Sequence, residues 1–448
     1  MKALFGTDGI RGEAGKFPLD RETVRRIGFS LANYLNQSEK SSVIVVGRDT
    51  RESGSWLEEA LIEGAKHASA ECHAAGVITT PGVAYLTGEL KADAGVVISA
   101  SHNPYHDNGI KIFSASGQKI ADEVERLIEA DIFAGGDLST AHLPGAAADE
   151  SDQLQSRYLD FLSNRIGQGL SLSGLKIVID CANGASYRLA PALFERLGAN
   201  VVAINAEPDG RNINLNSGSL HIEGLQQRVV IEKADLGVAF DGDADRSLFV
   251  DHEGSFVDGD ATLWVLAGYL QAKNQLKDNT VVATVMSNIG LEIALRGKGI
   301  KLERTDVGDK YVLETLLRLE ASLGGEQSGH VILPALSLAG DGMITTLSLL
   351  RALQESQSSL AEMTRGFQHY PQTLINVRVK QKRSFSDLAA VNEATNWVEQ
   401  RLGRNGRLLL RYSGTEPLAR VMIEGQNQAD IEAYAQKIAA AIQLEIGV

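Results

Sequence analysis

A serine and three aspartates, far apart in the chain, carry the strongest chemical signal in this sequence. In Gly95–Phe113 (GVVISASHNPYHDNGIKIF), the apolar run Gly95–Ile98 reads as a short buried strand that ends in a small-residue turn holding Ser101. A buried strand that delivers a serine into a polar loop is a common way to present a nucleophile. The nucleophile elbow GxSxG of hydrolases is absent, so ordinary acyl chemistry is not indicated. The second signal is Asp241-Gly242-Asp243-Ala244-Asp245-Arg246, which follows another apolar run, Leu236–Phe240. An EF-hand also begins DxDxD but needs Gly at its sixth position and Glu at its twelfth, and here those are Arg246 and His252. Three carboxylates at alternate positions after a buried strand repel one another unless a cation sits among them. Hard oxygen ligands favour Mg²⁺. Taken singly, Ser101 is a turn serine and the acidic run a solvated turn. Together they suggest a phosphoryl group held beside a divalent cation.

The bulk numbers narrow the field. The 448 residues exceed one ordinary core and imply about two to four domains. Hydrophobic residues make up 44% and charged residues 22%, a globular balance that argues against extended disorder. A formal net charge of -14 makes a nucleic-acid or anionic-membrane binder unexpected, while leaving room for a local positive cleft. Cys72 and Cys181 are far apart and lack zinc spacing, so free thiols in a reducing compartment are expected. No apolar run is long enough to span a membrane, and the N-terminus lacks a signal-peptide core, so the expected location is the cytoplasm.

Strand-like runs alternate with amphipathic helical stretches, the pattern of α/β construction. Ser42–Val46 leads into Gly47–Arg51, Leu175–Ile179 into Asp180–Gly184, and Thr280–Val285 into Met286–Asn288. Ligands gather at the carboxyl ends of strands in such sheets, so these loops are where chemistry belongs. Composition shifts at Phe133–Asp152, Asp251–Gly259 and Gln354–Gln372 mark boundaries. The last helix places Ile431, Tyr434, Ala435, Ile438 and Ile442 on one face. The reading is three similar α/β domains with mixed sheets, at 1–150, 151–252 and 253–368, plus a smaller C-terminal α+β domain at 369–448, around a central cleft.

Three further segments complete the pattern: FGTDGIRG at Phe5–Gly12, GGEQSGH at Gly324–His330, and RYSGTEP at Arg411–Pro417 followed by Arg420. Arginine forks, two hydroxyls and N–H groups around a glycine suit a phosphate dianion. With ASHNPYHDNGIKIF and DGDADR, these five motifs in this order resemble the α-D-phosphohexomutase superfamily, and they resemble its amino-sugar branch most closely. The resemblance runs from residue 5 to residue 420. It implies that Ser101 is a phosphoserine and the fourth metal ligand beside Asp241, Asp243 and Asp245, with one Mg²⁺ per site. It further implies that Lys111, Arg246, His330 and Arg11 surround the transferring phosphate, with the proton acceptor undecided among them. Arg51 is expected to add positive charge there.

Glu326 and Ser328 match a sugar-binding loop, and Lys310, in TDVGDKY, stands in a further substrate loop where arginine is usual. Arg411, Ser413, Gly414, Thr415 and Arg420 match a distal phosphate clamp. Ala244 stands where the family usually has glycine; if that position needs a positive φ, alanine costs about 1 kcal/mol or more. The implied reaction interconverts glucosamine 6-phosphate and glucosamine 1-phosphate through a glucose- or glucosamine-1,6-bisphosphate type of intermediate or activator. It would feed UDP-N-acetylglucosamine synthesis. A glucose- or mannose-phosphate mutase with the same chemistry, an aspartate-dependent phosphatase using Asp241, and a non-catalytic phosphosugar-binding protein are the alternatives. Oligomeric state is left open.

Overall fold

The computed structural model describes residues 4–6, 8–36, 41–135, 150–413 and 416–448. The expected boundary at Phe133–Asp152 therefore falls largely outside the described residues, at 136–149. By packing, the chain forms two compact units, Met1–Val285 with Glu303–Arg365, and Met286–Leu302 with Gly366–Val448.

The first unit contains three mixed sheets. One is six-stranded, in the order Phe5–Gly6, Gly9–Glu13, Asp107–Ser114, Ala94–Ile98, Val43–Arg48, Glu71–Val77. Its last three strands run parallel, and Asp107–Ser114 returns antiparallel to Ala94–Ile98. Every residue of Ala94–Ile98 is buried, as a central strand of small and β-branched residues should be. A five-stranded sheet has the order Phe256–Val257, Ser247–Asp251, Leu236–Phe240, Lys176–Asp180, Asn200–Ile204. Leu236–Phe240 is again wholly buried. A third sheet includes Thr280–Thr284, Gly324–Gly325 and Val331–Ile332. The predicted strands thus form within a residue or two of their expected ends. The expected connection at Asp251–Gly259 contributes a strand of its own, Phe256–Val257, and the one at Gln354–Gln372 a short capped helix, Leu360–Thr364.

The second unit is an antiparallel sheet in the order Gln372–Arg378, Leu418–Glu424, Arg407–Tyr412, backed by the helices Ala389–Leu402 and Gln428–Ile446. Ile431, Ala435, Ile438 and Ile442 are buried in its core and Tyr434 packs against it, as the helical spacing predicts.

The packing groups the expected four segments into two units and moves one stretch across the boundary expected at 368/369. Met286–Leu302, with its helix Ile289–Gly297, joins the C-terminal sheet rather than the rest of 253–368. Buried Glu424 explains this: its carboxylate accepts the Ile289 N–H (3.1 Å) and is held by Arg407 (2.8 Å). Arg407 also donates to the Ser287 carbonyl, and the Asn288 amide pairs with both backbone groups of Tyr370. A buried carboxylate left without these donors would be costly, so the segment follows Glu424.

Candidate active site

The loop after Ala94–Ile98 carries Ser101, and the loop after Leu236–Phe240 carries the aspartates, so two buried strands aim them at one another. Ser101 Oγ donates to Asp241 Oδ2 at 2.5 Å. The loops touch closely at Gly242, where an added Cβ would lie 2.5 Å from the Ser101 carbonyl oxygen; no side chain fits there. Ser101 itself sits at φ 51°, a left-handed conformation that costs a non-glycine residue about 1–2 kcal/mol and persists only when surroundings enforce it.

Arg51 supplies the enforcement. Its buried guanidinium binds Asp49 Oδ2 (2.9 Å) and the carbonyls of Ser101 and Asn103 (both 2.9 Å), Pro104, and Asp107 (3.0 Å). Asn214 adds bonds to the same Ser101 and Asn103 carbonyls (2.8 and 3.1 Å), and Ser99 Oγ ties Asp49 to the Ser101 N–H. This corrects the expectation that Arg51 faces the transferring phosphate. It grips the serine loop from beneath.

Asp241, Asp243 and Asp245 each offer an oxygen within 4.8 Å of the others. Oδ1 of Asp243 and of Asp245 are buried without a hydrogen-bond partner. Burial, then repulsion from Asp245 and Asp243, pushes the Asp241 carboxyl well above its ordinary range. Three buried carboxylates this close together, with two oxygens left without a hydrogen bond, fit a hard divalent cation. Ala244, between two of these aspartates, does adopt a positive φ, 57°.

Lys111, on Asp107–Ser114, lies 2.8 Å from Asp243 Oδ2, 3.2 Å from Asp8 and 3.6 Å from Asp245. Burial alone would lower its pKa, but the carboxylates of Asp243, Asp8 and Asp245 outweigh it and hold the ammonium well above its usual value. His330 Nδ1 lies 3.7 Å from Asp245 Oδ2. Burial lowers its pKa, and the bond and charge of Asp245, then Asp309 and Glu326, raise it to about 9. Its ring stacks against Gly340, where a Cβ would meet Nε2 at 2.2 Å.

A cleft of about 440 Å³ opens over these groups, lined by Asp8, Arg11, His102, Arg246, Asp309, Glu326 and His330 among others. Arg11 is ion-paired with Asp8. Arg246 lies 3.4 Å from His102 Nδ1, which is also 3.4 Å from Ser101 Oγ. Glu326 accepts from the Gly308 N–H and from Ser328 Oγ, both at 3.2 Å.

Lys310 does not join this cleft. Its ammonium pairs with Asp122 at 2.6 Å, and Lys310 lines an adjoining cavity of about 360 Å³ that shares Asp8, Asp245, Asp309 and His330 with the cleft. The helix Asp309–Leu319 begins at that point, so neighbouring residues point about 100° apart, and it is Asp309 that faces forward. Sequence reading missed Asp8, Asp309 and Lys119, whose ammonium bridges them (3.0 and 2.7 Å). The only signal for the first two was their place inside motifs read for their neighbours.

In the second unit, Arg411 and Arg420 stand directly opposite one another on adjacent strands. Arg420 reaches Ser413 Oγ at 3.4 Å and Glu416 at 3.5 Å, and Arg411 makes no hydrogen bond or ion pair among the described residues. Facing like charges are destabilising in a sheet, and a dianion would relieve them. Gly414 and Thr415 lie outside the described residues.

A serine loop held against three buried carboxylates that could take a metal, with a cleft carrying arginines and a histidine on mixed α/β sheets, has the parts that phosphoryl transfer needs. Comparison with known proteins makes this specific. Models of the phosphoglucomutase/phosphomannomutase α/β/α domains I, II and III match residues 2–138, 156–254 and 258–370, and the C-terminal domain model matches 374–441. Proteins named phosphoglucosamine mutase from Solibacter usitatus (strain Ellin6076) and Myxococcus xanthus (strain DK1622) are 51% and 46% identical to the chain. The first match spans 100% of this chain and 99% of the relative, the second 99% and 98%.

A crystal structure of a phosphoglucomutase/phosphomannomutase family protein from Burkholderia thailandensis superposes with TM-score 0.79 at 22% identity, covering 100% of this chain and 99% of the other. The Aspergillus fumigatus N-acetylphosphoglucosamine mutase, solved with GlcNAc-6P and magnesium, superposes at 0.60 with 17% identity, covering 98% and 95%. The chain belongs to the phosphoglucomutase/phosphomannomutase family, on its phosphoglucosamine mutase branch. It is an isomerase with the four-domain phosphohexomutase architecture. No described helix is long and apolar enough to cross a membrane.

Proposed function

We propose that this chain interconverts glucosamine 6-phosphate and glucosamine 1-phosphate, with Ser101 as the phosphoryl carrier. The observation that carries the reading is the 2.5 Å contact of Ser101 Oγ with Asp241, at the head of a buried carboxylate set and within a full-length likeness to phosphoglucosamine mutases. The division into domains at 1–150, 151–252, 253–368 and 369–448 is part of this reading. So are the phosphosugar substrate, a cytoplasmic location and a supply of precursor to UDP-N-acetylglucosamine.

In the proposed cycle the phosphoryl group on Ser101 passes to the free 1- or 6-hydroxyl of the sugar phosphate. That hydroxyl loses its proton to a neighbouring base, and a 1,6-bisphosphate forms. The bisphosphate reorients, and its other phosphoryl group returns to Ser101 Oγ, which leaves the isomer. Asp241, Asp243, Asp245 and a phosphate oxygen on Ser101 would hold one Mg²⁺, whose charge would neutralise the phosphoryl oxygens.

The chain's own residues do the rest. Arg51 and Asn214 keep Ser101 pointed at the cleft. Arg11, Arg246 and Lys111 surround the transferring group with positive charge. His330 and Lys111 are the proton-transfer candidates; the carboxylates beside them favour their protonated forms, so each gives a proton to the leaving oxygen as it stands and takes the hydroxyl's proton only from its neutral form. Glu326 and Ser328 receive sugar hydroxyls. Arg411, Ser413, Gly414, Thr415 and Arg420 hold the phosphate that is not reacting, and must accept the 1- and the 6-phosphate in turn.

Side-by-side assay of the purified protein on glucosamine, glucose and mannose 1-phosphates tests the reading. Glucosamine phosphate should lead in kcat/KM by about tenfold or more, a difference that needs only about 1.4 kcal/mol of transition-state binding. A higher kcat/KM for glucose or mannose phosphate would move the assignment to those sugars with the serine chemistry unchanged.

A further inference from the structure

A 2-amino sugar differs from glucose by one ammonium near neutral pH, so a site that prefers it needs a carboxylate with a free oxygen facing the sugar. The carboxylates of the front cleft can be taken in turn. Asp8 is already neutralised by Arg11, Lys111 and Lys119. Asp245 belongs to the metal set and to Lys111. Glu326 has a neutral donor on each oxygen, the Gly308 N–H and Ser328 Oγ, and suits hydroxyls that all three sugars share.

Asp309 is different. Its Oδ1 takes Lys119 Nζ (2.7 Å) and the Lys310 N–H (2.9 Å), which together fix the side chain. Its Oδ2 accepts no hydrogen bond among the described residues. His330 Nε2, a buried nitrogen that itself lacks a hydrogen-bond partner, lies 4.0 Å from Oδ2. Asp309 also follows Gly308, whose N–H binds Glu326, so the free oxygen and the hydroxyl-binding loop are joined at one residue's remove.

We infer that Asp309 is the specificity-determining residue for the amino sugar: its Oδ2 receives the 2-ammonium while Glu326 and Ser328 hold the hydroxyls. This deepens the mutase reading above and rests on it. An ammonium would make a charge-assisted bond there, and the hydroxyl of glucose or mannose only a neutral one. The Asp309 side chain is 29% exposed, so water screens the pair and the discrimination is modest, about tenfold rather than the far larger ratios of a sealed polar pocket. Lys119 acts through Asp309, as the group that holds its carboxylate in place.

The test uses the full chain in a Ser101→Ala background, where ligands bind without turning over. Calorimetry with glucosamine 6-phosphate and glucose 6-phosphate should give about a tenfold preference for the amino sugar. Asp309→Asn should bring that ratio to near one while glucose 6-phosphate affinity moves less than about twofold, and Asp309→Glu, which keeps the charge, should retain part of the preference. Asp309→Ser provides a second neutral variant if the asparagine protein fails to fold. An unchanged ratio in the neutral variants, or an equal loss for both sugars, would overturn the inference. Turnover by the otherwise unmodified chain is read separately: if it interconverts no hexose phosphate, the mutase reading itself fails, whatever the binding ratio.

Discussion

The serine and aspartate loops of the first unit and the arginine hairpin of the second, the two regions proposed to handle phosphate, are built in opposite ways. The Ser101 loop is held by buried partners, Arg51, Asn214, Asp49 and Ser99 below and Asp241 beside, and Lys111 and Thr80 fix Asp243, while one oxygen each of Asp243 and Asp245 is left without a hydrogen bond. Around Arg420 the contacts are long, 3.4 and 3.5 Å, and two half-buried arginines face each other across a strand pair. Charge that moves in a transition state is best met by dipoles already fixed in place. A phosphate that is only held, and held in two positions in turn, needs positive charge but not one geometry. On the proposed function, the first region is organised before substrate arrives, and the second would be organised by it.

The largest expected effect tests the organised side. Ser101→Ala should lower turnover by several orders of magnitude and leave folding nearly intact, because the serine side chain carries little packing and its loop is held through the backbone. Intact-mass analysis of the unaltered protein should find one phosphate, localised to Ser101. Full activity in the alanine variant would remove the carrier and with it the contrast. Chelation should silence the enzyme and Mg²⁺ restore it. Asp243→Asn should raise the Mg²⁺ requirement sharply, since it weakens a ligand whose Oδ1 has no other partner.

A matched pair of arginine variants sharpens the comparison. Arg51→Lys strips hydrogen bonds from four buried or half-buried carbonyls that a lysine cannot reach together. It should destabilise the first unit by roughly 3 kcal/mol, at about 1 kcal/mol or more for each bond lost, and lower kcat as Ser101 drifts from its strained conformation. Arg420→Gln should do the reverse. Stability should hold or rise by about 0.5 kcal/mol as the facing charges are relieved, while KM rises about tenfold or more through loss of a charge-assisted fork. Urea unfolding and steady-state kinetics on both proteins decide it. Equal stability losses would show that the hairpin is as structurally committed as the serine loop.

Much of this was legible in the sequence, and the limits have a physical source. Asp241, Asp243 and Asp245 could be named because their chemistry demands a residue type at a fixed spacing within one loop, whereas Ser101 and Glu326 took their roles from the family motifs in which they stand. The buried strands Ala94–Ile98 and Leu236–Phe240 announced themselves as unbroken apolar runs. Arg51 could not be placed, because its partners are main-chain carbonyls of a loop about 50 residues away, invisible to any side-chain pattern. Lys310 and Asp309 are adjacent in a motif, and only the onset of a helix decides which one faces the cleft. The attachment of Met286–Leu302 to the C-terminal sheet turns on one buried carboxylate, Glu424, that no local rule singles out.

The smallest expected effect lies inside the organised region, at Ala244. The residue is buried, its N–H donates to the Asp241 carbonyl (3.1 Å) and its own carbonyl accepts from Gly342 (3.1 Å), so the loop holds it at φ 57° whatever the side chain prefers. A left-handed alanine costs about 1–2 kcal/mol relative to glycine in the folded state. Against this, glycine gives the unfolded chain about 0.4–1 kcal/mol more entropy to lose, and removing a buried methyl loses further packing. The terms nearly balance, with strain slightly ahead, so Ala244→Gly should raise stability by roughly 0.5 kcal/mol. Mg²⁺ affinity and kcat should stay within about twofold, because the flanking aspartates are positioned by Ser101, Thr80 and Lys111 rather than by the alanine. Calorimetric titration with Mg²⁺ and urea unfolding of the two proteins give both numbers. A clear loss of Mg²⁺ affinity in the glycine variant would mean that the alanine methyl holds the metal loop rigid, and that the organised side of the comparison depends on one strained residue.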